Sequence, residues 1–228
     1  MVLGVTAATV AAIASSLYAA MRHRPSFYLP AEPSTPARRE RAAEFVEHSL
    51  QLRNDAANEE RWEAVFTEEE VNAWLSEDLP KQFPDVLPEA IRDPRIVFEA
   101  DRATVAFTYE EGLIRGVLWA VVRVETGEEN ALALEVERLR IGMLPLPDSL
   151  LIDRVKGGRS LPLSWDRREG RAVATVTLAP KRRGRALRID DVRFAAGRMR
   201  VAGHTALEAT AQRGDSPREA VEDASRSF

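Results

Sequence analysis

Val117-Leu118-Trp119-Ala120-Val121-Val122-Arg123-Val124 is apolar on both of its alternating faces over most of its length. Successive side chains of a strand point to opposite sides, so a strand of this kind needs cover above and below. Upstream, Ala103, Val105, Phe107 and Tyr109 alternate with Arg102, Thr104, Ala106 and Thr108, the period of two of a half-buried strand. Downstream, Gly127-Glu128-Glu129-Asn130 makes a turn, and Leu132, Leu134 and Val136 continue the alternation until Leu139 and Ile141 fall out of phase. That slip predicts a bulge near Arg138. Further strands are expected at 171–178, 187–194 and 198–203. Short turns between consecutive strands predict an antiparallel meander of about five or six strands.

The segments before these strands have a helical period. From residue 37 to about 57, Ala43, Val46, Leu50 and Ala57 share one stripe with Phe45 and Leu52 beside it, and Arg, Glu and Gln fill the rest, as on a core-facing helix. A short strand is expected at 62–66. Thr67-Glu68-Glu69-Glu70 then starts a second helix by a capping box, in which the Thr67 hydroxyl accepts from the Glu70 amide and Glu70 reaches back. Phe66 and Val71 form its hydrophobic staple, Val71, Trp74, Leu75 and Leu79 are its buried face, and Pro80 halts it. The three glutamates read as first-turn charges favoured by the helix dipole, not as a metal or acid–base site. The fold class is therefore α+β, with two helices packed on an antiparallel sheet.

At the start of the chain, residues 1–21 carry no charged side chain, and Arg22, His23 and Arg24 follow at once. About 20 such residues span a bilayer as a helix, whereas a cleavable signal would show basic residues before a shorter apolar core. The expected organisation is a transmembrane anchor at 1–21, a Pro-rich extended spacer at 22–36 containing Pro25, Pro30, Pro33 and Pro36, the α+β domain at 37–204, and a polar, disordered tail at 205–228. Basic flanks favour the cytoplasmic side, which would keep Arg22, Arg24, Arg38, Arg39 and Arg41 inside.

The chain has 228 residues and no cysteine, which excludes disulfides, zinc–thiolate sites and thiol nucleophiles together. Its formal net charge of -4 hides an asymmetry. Residues 37–130 hold 11 Lys and Arg against 22 Asp and Glu, while residues 150–204 hold 14 against 5. Either two faces of one domain attract each other, or the basic half meets an anionic partner such as lipid headgroups, an envelope polymer or nucleic acid.

Leu139-Arg140-Ile141-Gly142-Met143-Leu144-Pro145-Leu146-Pro147 leads from a strand through a glycine and a doubled Leu-Pro into an apolar helical turn, Leu150-Leu151-Ile152-Asp153-Arg154-Val155, closed by Gly157-Gly158. Together with the segment from Thr67 to Leu75, with Asn72 in its middle, this resembles the YpmS-like family of bacterial membrane-anchored proteins over roughly residues 60–195. The resemblance implies a single-pass protein with its domain outside the cytoplasm, no catalytic residue to carry across, and a relation to tubular lipid-binding folds, in which a curved antiparallel sheet wraps a helix. The chain departs from the pattern in having no basic residue ahead of the apolar stretch, so two readings of sidedness stand.

Catalytic signals are sparse. Gly157-Gly158-Arg159-Ser160 lacks the spacing of a phosphate loop, with Lys156 ahead of the glycines, and reads as a helix stop. His23, His48 and His204 have no metal-ligand spacing. Asp190-Asp191 lies where the apolar phase slips again; a bulge or tight turn is the simple reading, and a general base or cation site the chemical one. There is no nucleophile elbow, dinucleotide glycine pattern or Ser-Lys pair, so no catalytic residue, metal or cofactor is expected. Lys181, Arg182, Arg183 and Arg185, with Arg188 beyond, form a basic turn that is either a solvated hairpin tip or a contact for anionic headgroups. No aromatics interleave with these arginines, which argues against nucleic acid.

The expected function is that of a membrane-anchored, non-catalytic envelope protein that binds a lipid or other hydrophobic ligand, or else a structural partner in an envelope complex. The candidate ligand groove is Val117, Trp119 and Val121. If Leu118, Ala120, Val122, Leu132, Leu134 and Val136 pack on the helices, the opposite side of that strand either opens as an elongated cleft or is closed by a short helix at 147–156 and the remaining strands.

Overall fold

The strand at 61–67 finds its partner at the far end of the chain, and this pairing divides the architecture in two. The computed structural model describes residues 2–29, 33–127, 131–147, 163–168, 170–177, 181–182 and 185–207, without the side chains of 2–5, 7, 163, 177, 181–182, 185–186 and 206–207. Its elements are α1 (Val2–Arg22), α2 (Pro36–Asn58), β1 (Arg61–Thr67), α3 (Glu68–Glu77), the single turn α4 (Leu79–Gln82), β2 (Ile91–Glu99), β3 (Arg102–Glu111), β4 (Ile114–Thr126), β5 (Ala131–Ile141), β6 (Leu144–Pro145), β7 (Leu163–Arg168), β8 (Arg171–Thr177), β9 (Lys181–Arg182), β10 (Arg185–Ala195) and β11 (Arg198–Leu207). The class is α+β and the strand pairs are antiparallel. The single meander is corrected to two sheets, one ordered β1-β11-β10-β9 and the other β2-β3-β4-β5-β8-β7, with β6 on β5. The last strand runs to Leu207, past the expected boundary at 204. The helix expected at 147–156, the Gly157-Gly158 stop and the tail beyond 207 lie outside the described residues.

Both phase slips in the sequence are bulges. Val121 and Val122 pair with Arg138 and Val136, leaving Glu137 extra on β5. Ile189 and Asp191 pair with Gly203 and Ala202, leaving Asp190 extra on β10. The strand β2 has no clear alternation because its register also shifts, between Arg92 and Arg95, around Pro94 and the left-handed Asp93 at φ 50°. Proline is tolerated there because β2 is the edge of its sheet.

The capping box of α3 forms as its sequence predicts: the Thr67 hydroxyl accepts from the Glu70 amide at 3.2 Å, and Glu70 Oε2 accepts from the Thr67 amide at 3.0 Å. Such a cap contributes about 1 kcal/mol. The helix then seals the open edge of β2. Asn72 donates its side-chain amide to the Ile96 carbonyl at 2.7 Å and accepts from the Ile96 amide at 2.8 Å, while Glu68 accepts from the Phe98 amide at 2.8 Å. A side chain thus replaces the missing neighbour strand, and backbone groups that would be costly to leave unpaired are satisfied. Beneath this seam Phe66, Val71, Phe98, Ala103 and Phe194 form the main core, with Phe45, Leu75 and Val201 against it. Phe98 and Phe194 stack at 5.4 Å and join the two sheets.

The helix α1 is a different object. Its described side chains from Thr6 to Ala19 are all exposed, including Val10, Ile13, Leu17 and Tyr18 at 63, 56, 52 and 49%. Among the described residues no helix is long and apolar enough to cross a membrane. Only the last turn of α1 touches the domain among the described residues. The Met143 amide donates to the Ala20 carbonyl at 2.9 Å, and the backbone of Ala20 and Met21 presses on Gly116 and Gly142 so closely that a Cβ on either glycine would collide with it. Gly142 also needs φ +57°, so both constraints select glycine there.

The stretch after α1 is not a free spacer throughout, which corrects the expectation for 22–36. Tyr28 is 4% exposed, shares a 2.7 Å hydrogen bond with the Thr108 hydroxyl and donates to the Asp93 carbonyl at 2.9 Å. Burial, with Asp93 nearby, raises its phenol pKa. Farther on, Ser34 donates to Glu77 at 2.8 Å and Arg38 Nε lies 3.0 Å from the same carboxylate. Burial pushes the Glu77 carboxyl up, but Ser34, Arg38 and Lys81 together hold it below the usual carboxylate range. Phe27, Tyr28 and Ser34 thus fasten the described parts of this stretch to the domain.

Candidate functional site

The two faces of β4 separate as the alternation requires. Leu118 and Ala120 pack with Val136, Leu139, Ala172, Leu146 and Trp165, and Val124 joins the main core under the helices. On the other face lie the three candidate groove residues. Val117 and Val121 are buried, at 2 and 8% exposure. Val117 packs with Tyr28 and Ala106, with Phe27 and Trp119 alongside. Phe27 meets the Trp119 ring edge-on at 5.6 Å, Arg140 lies 5.6 Å above the same ring, and the indole nitrogen donates to the Gly142 carbonyl at 2.9 Å. The apolar cover that Val117 and Trp119 need comes from Phe27 and Tyr28, two residues the sequence placed in a spacer. At Val117 and Trp119 the cover is thus the chain's own segment after α1, and the helix expected at 147–156 lies outside the described residues.

The basic turn lies only partly within the described residues. Lys181 and Arg182 lie on β9, paired with Ala186 and Arg185 of β10, so the hairpin exists. Arg183 and the side chains of Lys181, Arg182 and Arg185 lie outside the described residues. Arg188 is exposed on β10 and is the register partner of His204 on β11, whose other partner is Arg61 on β1. The extra residue of the bulge, Asp190, turns its carboxylate to His204: Nδ1 is 2.7 and 2.9 Å from its two oxygens. Glu60, Arg61, Asp190, His204 and Thr205 line an open polar cleft of about 300 Å³.

A carboxylate beside Nδ1 keeps the proton on that nitrogen, which leaves Nε2 as a proton acceptor or, in the imidazolium, a second donor. The Thr205 hydroxyl is committed to the Ala56 carbonyl at 2.7 Å, so it supplies no free nucleophile. Among the described residues no group of three or more His, Asp or Glu is arranged to hold a metal ion. The Asp190–His204 pair gives the cleft polar atoms that can hydrogen-bond a small polar group. Sequence reading treated Asp190 and His204 separately. The phase slip at Asp190 marked one partner, and the hairpin register that brings the other has no local signature.

Beside the cleft, the outer face of the smaller sheet is an ion-pair lattice. Arg200 bonds Glu63 through Nε at 2.6 Å and reaches Asp191 at 3.8 Å, while Arg193 lies 2.8 Å from Asp191. The Arg200 hydrogen bond lowers the Glu63 pKa. Of these contacts Glu63–Arg200 joins the acidic half of the chain to the basic half, while Asp191 pairs with arginines of its own half. No family model, curated protein or solved structure matches this chain.

Proposed function

We propose that this chain is a membrane-tethered scaffold: α1 inserts into a bilayer, and the domain is held at the surface in one orientation to meet a protein partner. The observation that carries the reading is the contrast within α1, where a helix with no charged side chain before Arg22 stands free of the other described residues except at its locked last turn. A helix of 21 residues is about 31 Å long, close to the thickness of a hydrocarbon core. Exposed Val10, Ile13, Leu17 and Tyr18 need a cover that the other described residues do not supply. A lipid surround is that cover, and the small residues among them suit close packing with another helix in the same bilayer. The resemblance to YpmS-like membrane-anchored proteins points the same way.

The scaffold reading is preferred to a lipid carrier because Phe27 and Tyr28 cover Val117 and Trp119, two of the three residues that would have lined the groove. The test is alkaline carbonate extraction of membranes containing the full chain. The parent is expected to stay in the membrane pellet, and the Ile13→Lys, Leu17→Lys double variant to move to the supernatant with its far-ultraviolet circular dichroism intact, since a charge at the bilayer centre costs about 3 kcal/mol. Extraction of the parent would overturn the proposal.

A further inference from the structure

Where α1 meets the domain, two hairpin tips expose apolar side chains. The β3–β4 tip presents Leu113 at 91% and Ile114 at 46% exposure, and the β5–β6 tip presents Met143 at 56%. Both tips belong to the same end of the larger sheet. Glu111 pairs with Ile114 at the last rung of β3–β4, and the Gly142 amide donates to the Val117 carbonyl at 2.8 Å just inside it. The chain itself crosses this end. Met21 lies on Gly116 and Gly142 on the core side of β4, and Phe27 lies on Trp119 on the other, so residues 22–26 pass round the sheet end beside the tips.

The charges here have a definite arrangement. Arg22, His23, Arg24 and Arg115 are exposed, and the Arg22 guanidinium donates to the Tyr18 hydroxyl at 2.9 Å and covers the Tyr18 ring. Glu110 faces Arg115 across the hairpin, and Glu111 is engaged by the Tyr109 hydroxyl. The two glutamates thus have neighbours on their own hairpin, and Arg22 and Arg24 sit where α1 ends. An apolar helix that ends in a tyrosine and arginines is suited to the boundary between hydrocarbon and headgroups, where such residues act as anchors.

From this geometry we infer that the Leu113–Ile114 and Met143 tips form a second membrane contact. They insert at the headgroup level beside α1, while Arg22 and Arg24 face lipid phosphates. The inference rests on the insertion of α1 proposed above and adds a fixed orientation: the sheet end faces the bilayer, and the Gly197 turn at its other end faces away. Gly197 donates to the Phe98 carbonyl at 3.0 Å, beside the β2–β3 turn, which places it opposite Leu113 along the strands. Continuity with the exposed helix and the cationic rim favour an anionic bilayer over a protein occupant.

The chain contains no cysteine, so single-cysteine variants of the full protein can carry one environment-sensitive fluorophore each. Leu113→Cys, Met143→Cys, Ile13→Cys and Ala196→Cys are labelled and reconstituted in anionic vesicles with and without brominated lipid. The proposal expects blue-shifted emission and loss of intensity in brominated lipid at 13, 113 and 143, and neither at 196. Quenching at 13 with none at 113 and 143 would overturn the second contact and leave the anchor standing. No quenching at 13 would remove the anchor reading itself. A blue-shifted but unquenched probe at 113 would mean that protein covers the tips, and would also overturn the inference.

Discussion

The helices α3 and α1 both end on the margin of the larger sheet, and they do so by opposite means. α3 buries a face made of Val71, Ala73 and Glu77 and uses Asn72 as a substitute strand on β2. α1 buries no described side chain and, among the described residues, is fixed through the carbonyls of its last turn against two glycines. A helix that pays its way by side-chain burial belongs to the core it covers. One that is gripped by its end alone has its apolar surface left for something outside the domain, and its direction is set by the grip.

The largest expected effect is at the α3 seam. Replacing Asn72 with Leu keeps the volume similar but leaves the amide and carbonyl of Ile96 without their partners, and should lower stability by about 2–4 kcal/mol. Urea unfolding of the full chain in detergent measures this. A loss below about 0.5 kcal/mol, the usual range of a neutral surface substitution, would mean that water serves the β2 edge equally well and that the contrast between the helices is weaker than argued here.

A smaller effect is expected where the post-α1 segment meets α3. The Glu77 carboxyl is held below the usual range by Ser34, Arg38 and Lys81 against the opposing effect of burial. A carboxylate with a depressed folded pKa contributes stability that is fully present above its unfolded value, about 4.3, and is lost as pH falls through the lower folded value. The stability difference between parent and Glu77→Gln should therefore be constant from neutral pH down to about pH 5 and shrink below about pH 4. A difference independent of pH down to about pH 3 would show that the carboxylate charge plays no part in fastening this segment.

Much of α3 was readable before any coordinates, because each of its signals is local: Thr67 and Glu70 are three residues apart, and Val71 adjoins the cap. The same is true of the alternation in β3 and β4 and of the two bulges, where an out-of-phase residue betrays itself within a few positions. Pairing is not local. Arg61 opposite His204 joins residues with nothing in their neighbourhoods to announce it, so one meander was expected where there are two sheets. The dyad of Asp190 and His204 was hidden for the same reason. Phe27 and Tyr28 were misread because prolines around them dominate a composition-based view, although two aromatics in a spacer already marked a segment with something to bury. Strand β2 was missed because Pro94 and the turn at Asp93 erase its period.

The central claim is that α1 is rigidly joined to the sheet end and does not hang from a flexible tether. Spin labels at Ser15→Cys and Ala196→Cys, both exposed positions, read this joint directly as a distance distribution in lipid nanodiscs. The account predicts one narrow peak for the parent and a broad distribution when Gly142→Val pushes the Ala20 and Met21 backbone away. A broad distribution in the parent, unchanged by Gly142→Val, would contradict it.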